Sequence, residues 1–92
     1  MRIISGKYKG FRFPTHRLDY TRPTTDRAKE ALMNILHSRM DLEGISVLDL
    51  YAGTGNLSFE FLSRGAERVE LIDQSRKAAS YQHMVAEKLG VE

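Results

Sequence analysis

The chain has 92 residues, 41% of them apolar and 28% charged, with a formal net charge of +2 and no cysteine. Such a chain makes one small domain with a modest core and is neither disordered nor collagenous. Without cysteine there is no disulfide frame, thiolate nucleophile or zinc-knuckle ligand set. The sequence has no apolar run of bilayer length and its start, MRIISGKYKG, has no signal-peptide core, so a cytoplasmic protein is expected.

The charge is unevenly placed. Residues 1–30 carry eight basic and three acidic side chains, whereas the remainder carries six and nine. No acid occurs before His16, and Tyr8, Phe11 and Phe13 are interleaved with Arg2, Lys7, Lys9 and Arg12. A basic, aromatic-bearing arm points to a polyanion such as nucleic acid, with those four cations as contacts. On charge alone a solubilising face reads the same way. RIISGKYKGFRF predicts two short β runs turning at Gly6 and Gly10, a hairpin-like arm. The connector PTHRLDYTRP follows, so residues 1–22 form arm and connector and residues 23–92 the main body.

From Thr24 the period changes. Ala28, Ala31, Leu32, Ile35 and Leu36 fall on one helical stripe, which Thr24 or Thr25 can cap and Asp26 favours at its positive end. Gly44 separates this helix from ISVLDLY, a buried strand suited to a parallel sheet. A second helix is expected from Asn56 to Arg64, ended by Gly65, and RVELIDQ is the next strand. A third helix is expected from Ser75 to Leu89, with Ala78, Tyr81, Val85 and Leu89 on one face. The order is that of a βαβ unit in an α/β fold. Two parallel strands do not complete such a sheet, so the chain reads as the N-terminal part of a larger domain.

The junction VLDLYAGTGNLSFE carries the chemistry. Gly53 and Gly55 lie between a strand and a helix, where bare backbone can approach a ligand. Position 58 is Ser where a dinucleotide fingerprint wants a third Gly or Ala. Asp49 lies in the apolar strand before the loop, and Asp73 ends the next strand, placed to take ribose hydroxyls. Nicotinamide dinucleotides and S-adenosylmethionine both offer a ribose to such an acid. Only the dinucleotide brings a pyrophosphate, which an acid at position 49 opposes, while the ammonium and sulfonium of S-adenosylmethionine welcome it. Structural roles compete at each acid: Asp49 can cap loop amides, and Asp73 can cap the following helix.

RPTTDRAKEALMNIL followed by VLDLYAGTGNLSFEFLSRGAERVELID, after the opening MRIISGKYKGFRF, resembles the N-terminal half of the bacterial 16S ribosomal RNA guanine-N2 methyltransferase family, small-subunit methyltransferase D type. The resemblance spans the whole chain but about half of a typical member. It implies a class I, Rossmann-like S-adenosylmethionine-dependent methyltransferase fold, here truncated before the later strands of a seven-stranded sheet. By the same resemblance Asp49, Gly53, Thr54, Gly55 and Asn56 line the methionine and ribose side of the cofactor. Asp73 takes the ribose hydroxyls, Gln74 lies beside the adenine, and Arg22, Pro23, Thr24 and Thr25 help hold the methionine end.

The arm would hold 16S rRNA or a small-subunit assembly particle. The family's catalytic Asn/Asp-Pro-Pro-aromatic signature is absent from these residues, whose only prolines are Pro14 and Pro23, so the chain alone is expected not to catalyse. Ser58 stands where the family commonly has Gly, with its hydroxyl expected to bond back to the backbone, and Tyr51 where Phe is usual.

Other constellations have no support. His16, His37 and His83 lack metal-ligand spacing, Ser63 and Ser75 lack a nucleophile elbow, and the loop lacks the Lys of a P-loop. Met33, Met40 and Met84 read as core or helix-boundary packing. A small RNA-binding module without catalysis is the competing function, and a dinucleotide oxidoreductase fragment the third. An uncovered sheet edge would also invite pairing between copies of the chain.

Overall fold

The computed structural model describes residues 1–14, 25–50 and 52–91. Among the described residues, three helices and two strands follow the arm: α1 (Asp26–Arg39), β1 (Ser46–Asp49), α2 (Asn56–Ser63), β2 (Arg68–Leu71) and α3 (Arg76–Leu89). β1 and β2 pair in parallel, with Ser46 opposite Arg68 and Asp49 opposite Leu71. The pairing continues past the strand ends, where the Ile72 amide donates to the Asp49 carbonyl and the Ala52 amide to the Ile72 carbonyl. That continuation carries the chain from β1 into the glycine loop.

α1 and α3 start where the sequence supplies a side-chain cap. Thr25 accepts a hydrogen bond from the Ala28 amide and Ser75 from the Ala78 amide, so Ser75 caps α3 rather than opening it. Gly90 ends α3 in the left-handed conformation that glycine adopts most cheaply. Ala78, Tyr81 and Val85 are buried along α3, as their spacing predicts, and Leu89 is partly buried.

α1 departs from its predicted face. The expected stripe is largely outside: Ala28, Ala31, Leu32 and Ile35 are exposed, whereas Lys29 and Met33 are buried and Leu36 is half-buried. The helix is turned so that the Lys29 ammonium reaches Glu60 of α2, 3.1 Å away with both side chains fully inaccessible. Lys29, being buried, is paired, as a buried charge must be.

The arm also differs in detail. It closes back on itself through an isolated antiparallel bridge between Arg2 and Arg12, with turns and bends rather than two strands between them. Its backbone is instead engaged by α2: the Ile4 and Ser5 amides donate to the Glu60 carboxylate, and the Lys7 amide to the Ser63 carbonyl. Gly6, at φ +94°, makes this close approach feasible, since a Cβ there would lie 2.0 Å from the Ser63 carbonyl oxygen. Ile3 and Phe13 then enter one core with Phe59, Ala78, Tyr81 and Val85.

The strands are buried on one face only. Val47, Asp49, Val69 and Leu71 are half-buried on the side toward α2, while Leu48, Leu50 and Ile72 point the other way and remain about half exposed. The expectation of a strand buried on both faces is therefore not met among the described residues.

Candidate cofactor site

The loop between β1 and α2 is shaped by its glycines. Gly53 and Gly55 have φ of +54° and +81°, and the Gly55 amide closes a turn on the Ala52 carbonyl at 2.7 Å. Gly55 is also the N-cap of α2 and supplies no side-chain cap, so the positive helix end is presented to the loop. A Cβ at Gly55 would lie 2.6 Å from the Phe59 ring, which makes glycine a packing requirement as well as a conformational one.

Asp73 meets this loop from the end of β2. One carboxylate oxygen accepts from the Gly53 amide at 3.0 Å and the other from the Ser75 amide at 2.9 Å. Residues twenty apart in sequence are thereby locked together. Gln82, which sequence reasoning missed, completes the lock by donating from Nε2 to the Gly53 carbonyl at 2.7 Å. Its signal was available: a polar side chain one turn beyond Ala78, beside the apolar face of α3.

Asp49 is half-buried at the end of β1 and accepts a hydrogen bond from the Ser58 hydroxyl at 2.8 Å. The expectation that Ser58 bonds back to its own backbone is corrected. Its side chain reaches the strand because Asp49 lies on the sheet face that α2 covers.

Thr54 and Asn56 are buried. The Thr54 hydroxyl accepts from the Asn56 amide, and the Asn56 side-chain oxygen accepts from the Lys29 ammonium at 2.8 Å. Of the remaining candidates, Gln74 is exposed beyond β2, and Thr25 caps α1. Arg22, Pro23, Thr24 and Tyr51 lie outside the described residues. On the arm, Arg2, Lys7, Lys9 and Arg12 are all exposed, with Arg2 placed 3.6 Å from Asp26.

Behind the loop lies a second group without a counterpart in the sequence-based expectations. Glu60 accepts from the Ile4 amide (2.9 Å), the Ser5 amide (3.2 Å) and Arg64 Nε (2.7 Å), besides its contact with Lys29. Burial pushes its carboxyl pKa up, but the hydrogen bonds from Ile4, Arg64 and Lys29 and the Lys29 charge outweigh this and leave it below the ordinary value. An acid between Phe59 and Phe61 was the sequence signal for an engaged carboxylate. Burial likewise pushes the Tyr81 phenol up to about 12, so it remains a donor to the Pro14 carbonyl at 2.6 Å.

The donor set can be matched to a ligand class. Two carboxylates, from the ends of β1 and β2, flank a loop of backbone amides, and no basic side chain lies between residues 49 and 56. That set fits a ligand bearing hydroxyls and positive charge, as S-adenosylmethionine does, better than a pyrophosphate.

Fold and loop together define part of an α/β domain of the Rossmann-like kind. A solved structure described as "Putative methyltransferase yhhF from Escherichia coli" superposes with a TM-score of 0.84 at 31% identity, covering 98% of this chain and 47% of that one. The model of the family described as Conserved hypothetical protein 95 matches residues 1–92, and the chain belongs to that family.

Among curated relatives, "Putative rRNA methyltransferase YlbH" of Bacillus subtilis is 44% identical over 78 residues, covering 85% of this chain and 41% of its own length. "Ribosomal RNA small subunit methyltransferase D" of Escherichia coli K12 is 40% identical over 76 residues, covering 83% and 37%. The chain thus spans less than half the length of these relatives. Among the described residues no helix is long and apolar enough to cross a membrane, and no cluster of potential metal ligands occurs.

Proposed function

We propose that residues 1–92 supply the S-adenosylmethionine-holding part of a cytoplasmic methyltransferase acting on the exocyclic N2 of a guanine in 16S rRNA. The observation that carries this reading is the meeting of Asp73 with the glycine loop through the Gly53 amide. It puts a carboxylate beside the glycine loop at the carboxyl end of two parallel strands, where open α/β sheets bind ligands. Relatives whose names specify rRNA methylation support the substrate class. S-adenosylmethionine supplies an electrophilic methyl on a sulfonium. The work of this chain is to bind and orient: Asp73 accepts from ribose hydroxyls, Asp49 complements the cationic end, and the glycine loop forms the wall between them.

Arg2, Lys7, Lys9 and Arg12, all exposed on the arm, suit the phosphates of the RNA or of a small-subunit assembly particle. The open sheet face with Leu48, Leu50 and Ile72 suits an enzyme in which further chain packs a second layer over the sheet.

Isothermal titration with S-adenosylhomocysteine tests the reading. The unaltered chain is expected to bind, and Asp73→Ala to lose binding while its circular dichroism is retained. Unaltered binding by Asp73→Ala removes Asp73 from the site. RNA binding that persists without any affinity for the ligand would favour an RNA-binding module instead.

A further inference from the structure

The buried polar group behind the loop joins three segments far apart in sequence. Lys29 of α1 has three ammonium donors and three partners: the Arg2 carbonyl, Asn56 Oδ1 at 2.8 Å and Glu60 Oε1 at 3.1 Å. Glu60 of α2 is equally complete, with Ile4 and Lys29 on Oε1 and Ser5 and Arg64 on Oε2. Both side chains are wholly inaccessible, and a buried network of this kind is stable only when every member is satisfied. Its ends are distinct. One end is the arm backbone at Arg2, Ile4 and Ser5; the other is Asn56, the first residue after the glycine loop.

We propose that Lys29 and Glu60 are positioning residues that couple the arm to the glycine loop, so that ligand binding at the loop and docking of the basic arm strengthen each other. Lys29 holds Asn56 at the head of α2 and the Arg2 carbonyl with the same ammonium. Displacing the arm would leave that ammonium and the Glu60 carboxylate short of partners inside the protein, which is costly. The same clamp aims the arm, because the adjoining Lys7 amide is held by the Ser63 carbonyl and the Tyr8 amide by the Ser63 hydroxyl, each within 2.9 Å. Lys7 and Lys9 are thus presented from a docked segment. Coupling of this kind is reciprocal: a ligand that favours the ordered loop must favour the docked arm by the same factor.

This inference rests on the cofactor reading, and the test separates the two. Amide hydrogen exchange is followed at Ile4 and Ser5 with and without S-adenosylhomocysteine, alongside calorimetry. The expected result is exchange about ten-fold slower with ligand in the unaltered chain, within the usual range of coupling between sites. In Lys29→Met, binding should be weaker and the ligand-dependent protection at Ile4 and Ser5 abolished, while amides in the middle of α3 keep their protection. Should Lys29→Met unfold, Lys29→Met/Glu60→Met, which removes both charges together, is followed instead at Lys7, whose amide is held by the Ser63 carbonyl and not by Glu60. Ligand binding with no change at Ile4 and Ser5, or equal protection in the variant, overturns the coupling alone. Absence of any binding by the unaltered chain overturns the cofactor reading, and the coupling with it.

Discussion

Gly55 shows how much one residue can be asked to do. It holds a φ of +81°, caps α2 with its backbone and packs against Phe59 and Leu71. A methyl group there meets both obstacles at once. Gly55→Ala is therefore expected to destabilise the fold by about 1–3 kcal/mol, read as a lower midpoint in thermal unfolding. Gly53 and Gly55 were legible in the sequence because glycine between a strand and a helix has few other uses. The partners of Asp49 and Asp73 were not: that Ser58 would take the first, and the Gly53 and Ser75 amides the second, depends on how close the helix and loop come to the strand ends.

At the scale of elements, α1 and α2 are joined by charge where periodicity expects an apolar seam. Lys29 and Glu60 are fully buried and paired, so removing one strands the other, at about 3–5 kcal/mol. The pH dependence follows from the lowered Glu60 pKa. A carboxyl that holds its proton less tightly in the folded state contributes its full stability above the unfolded value. That contribution is lost as pH falls through the folded value. Acid titration of stability should thus show a steep loss in the unaltered chain and a shallower one in Glu60→Gln, measured by urea unfolding at successive pH values.

The α1 stripe misled for a related reason. Ala28, Ala31, Leu32 and Ile35 have the correct spacing, but spacing reports a face, and the face that turns inward carries Lys29, paired with a residue 31 positions away. The pattern of α3 was sufficient because Ala78, Tyr81 and Val85 met no competing polar demand.

For the whole molecule, the arm is both core and surface. Ile3 and Phe13 share a core with α2 and α3, whereas Lys7, Lys9 and Arg12 face solvent. These roles separate in experiment. Neutralising Lys7, Lys9 and Arg12 to Gln should leave the unfolding midpoint nearly unchanged and flatten the salt dependence of RNA binding, by about 0.7 in slope for each single-strand phosphate that no longer meets a cation. Phe13→Ala should instead cost about 3–5 kcal/mol and lower RNA binding only through unfolding.

The sequence by itself determined the α/β order, the glycine turn, a threonine cap at the start of α1 and the surface placement of the arm's cations, because these depend on local backbone preference and hydration. Tertiary structure alone decided which face of α1 is buried, that the arm joins the core, that Gln82 and Lys29 hold Gly53 and Asn56, that Ser58 holds Asp49, and that Glu60 holds the arm. Those outcomes turn on polar groups finding partners distant in sequence, and the cost of leaving a buried charge or amide unpaired exceeds what local periodicity can express.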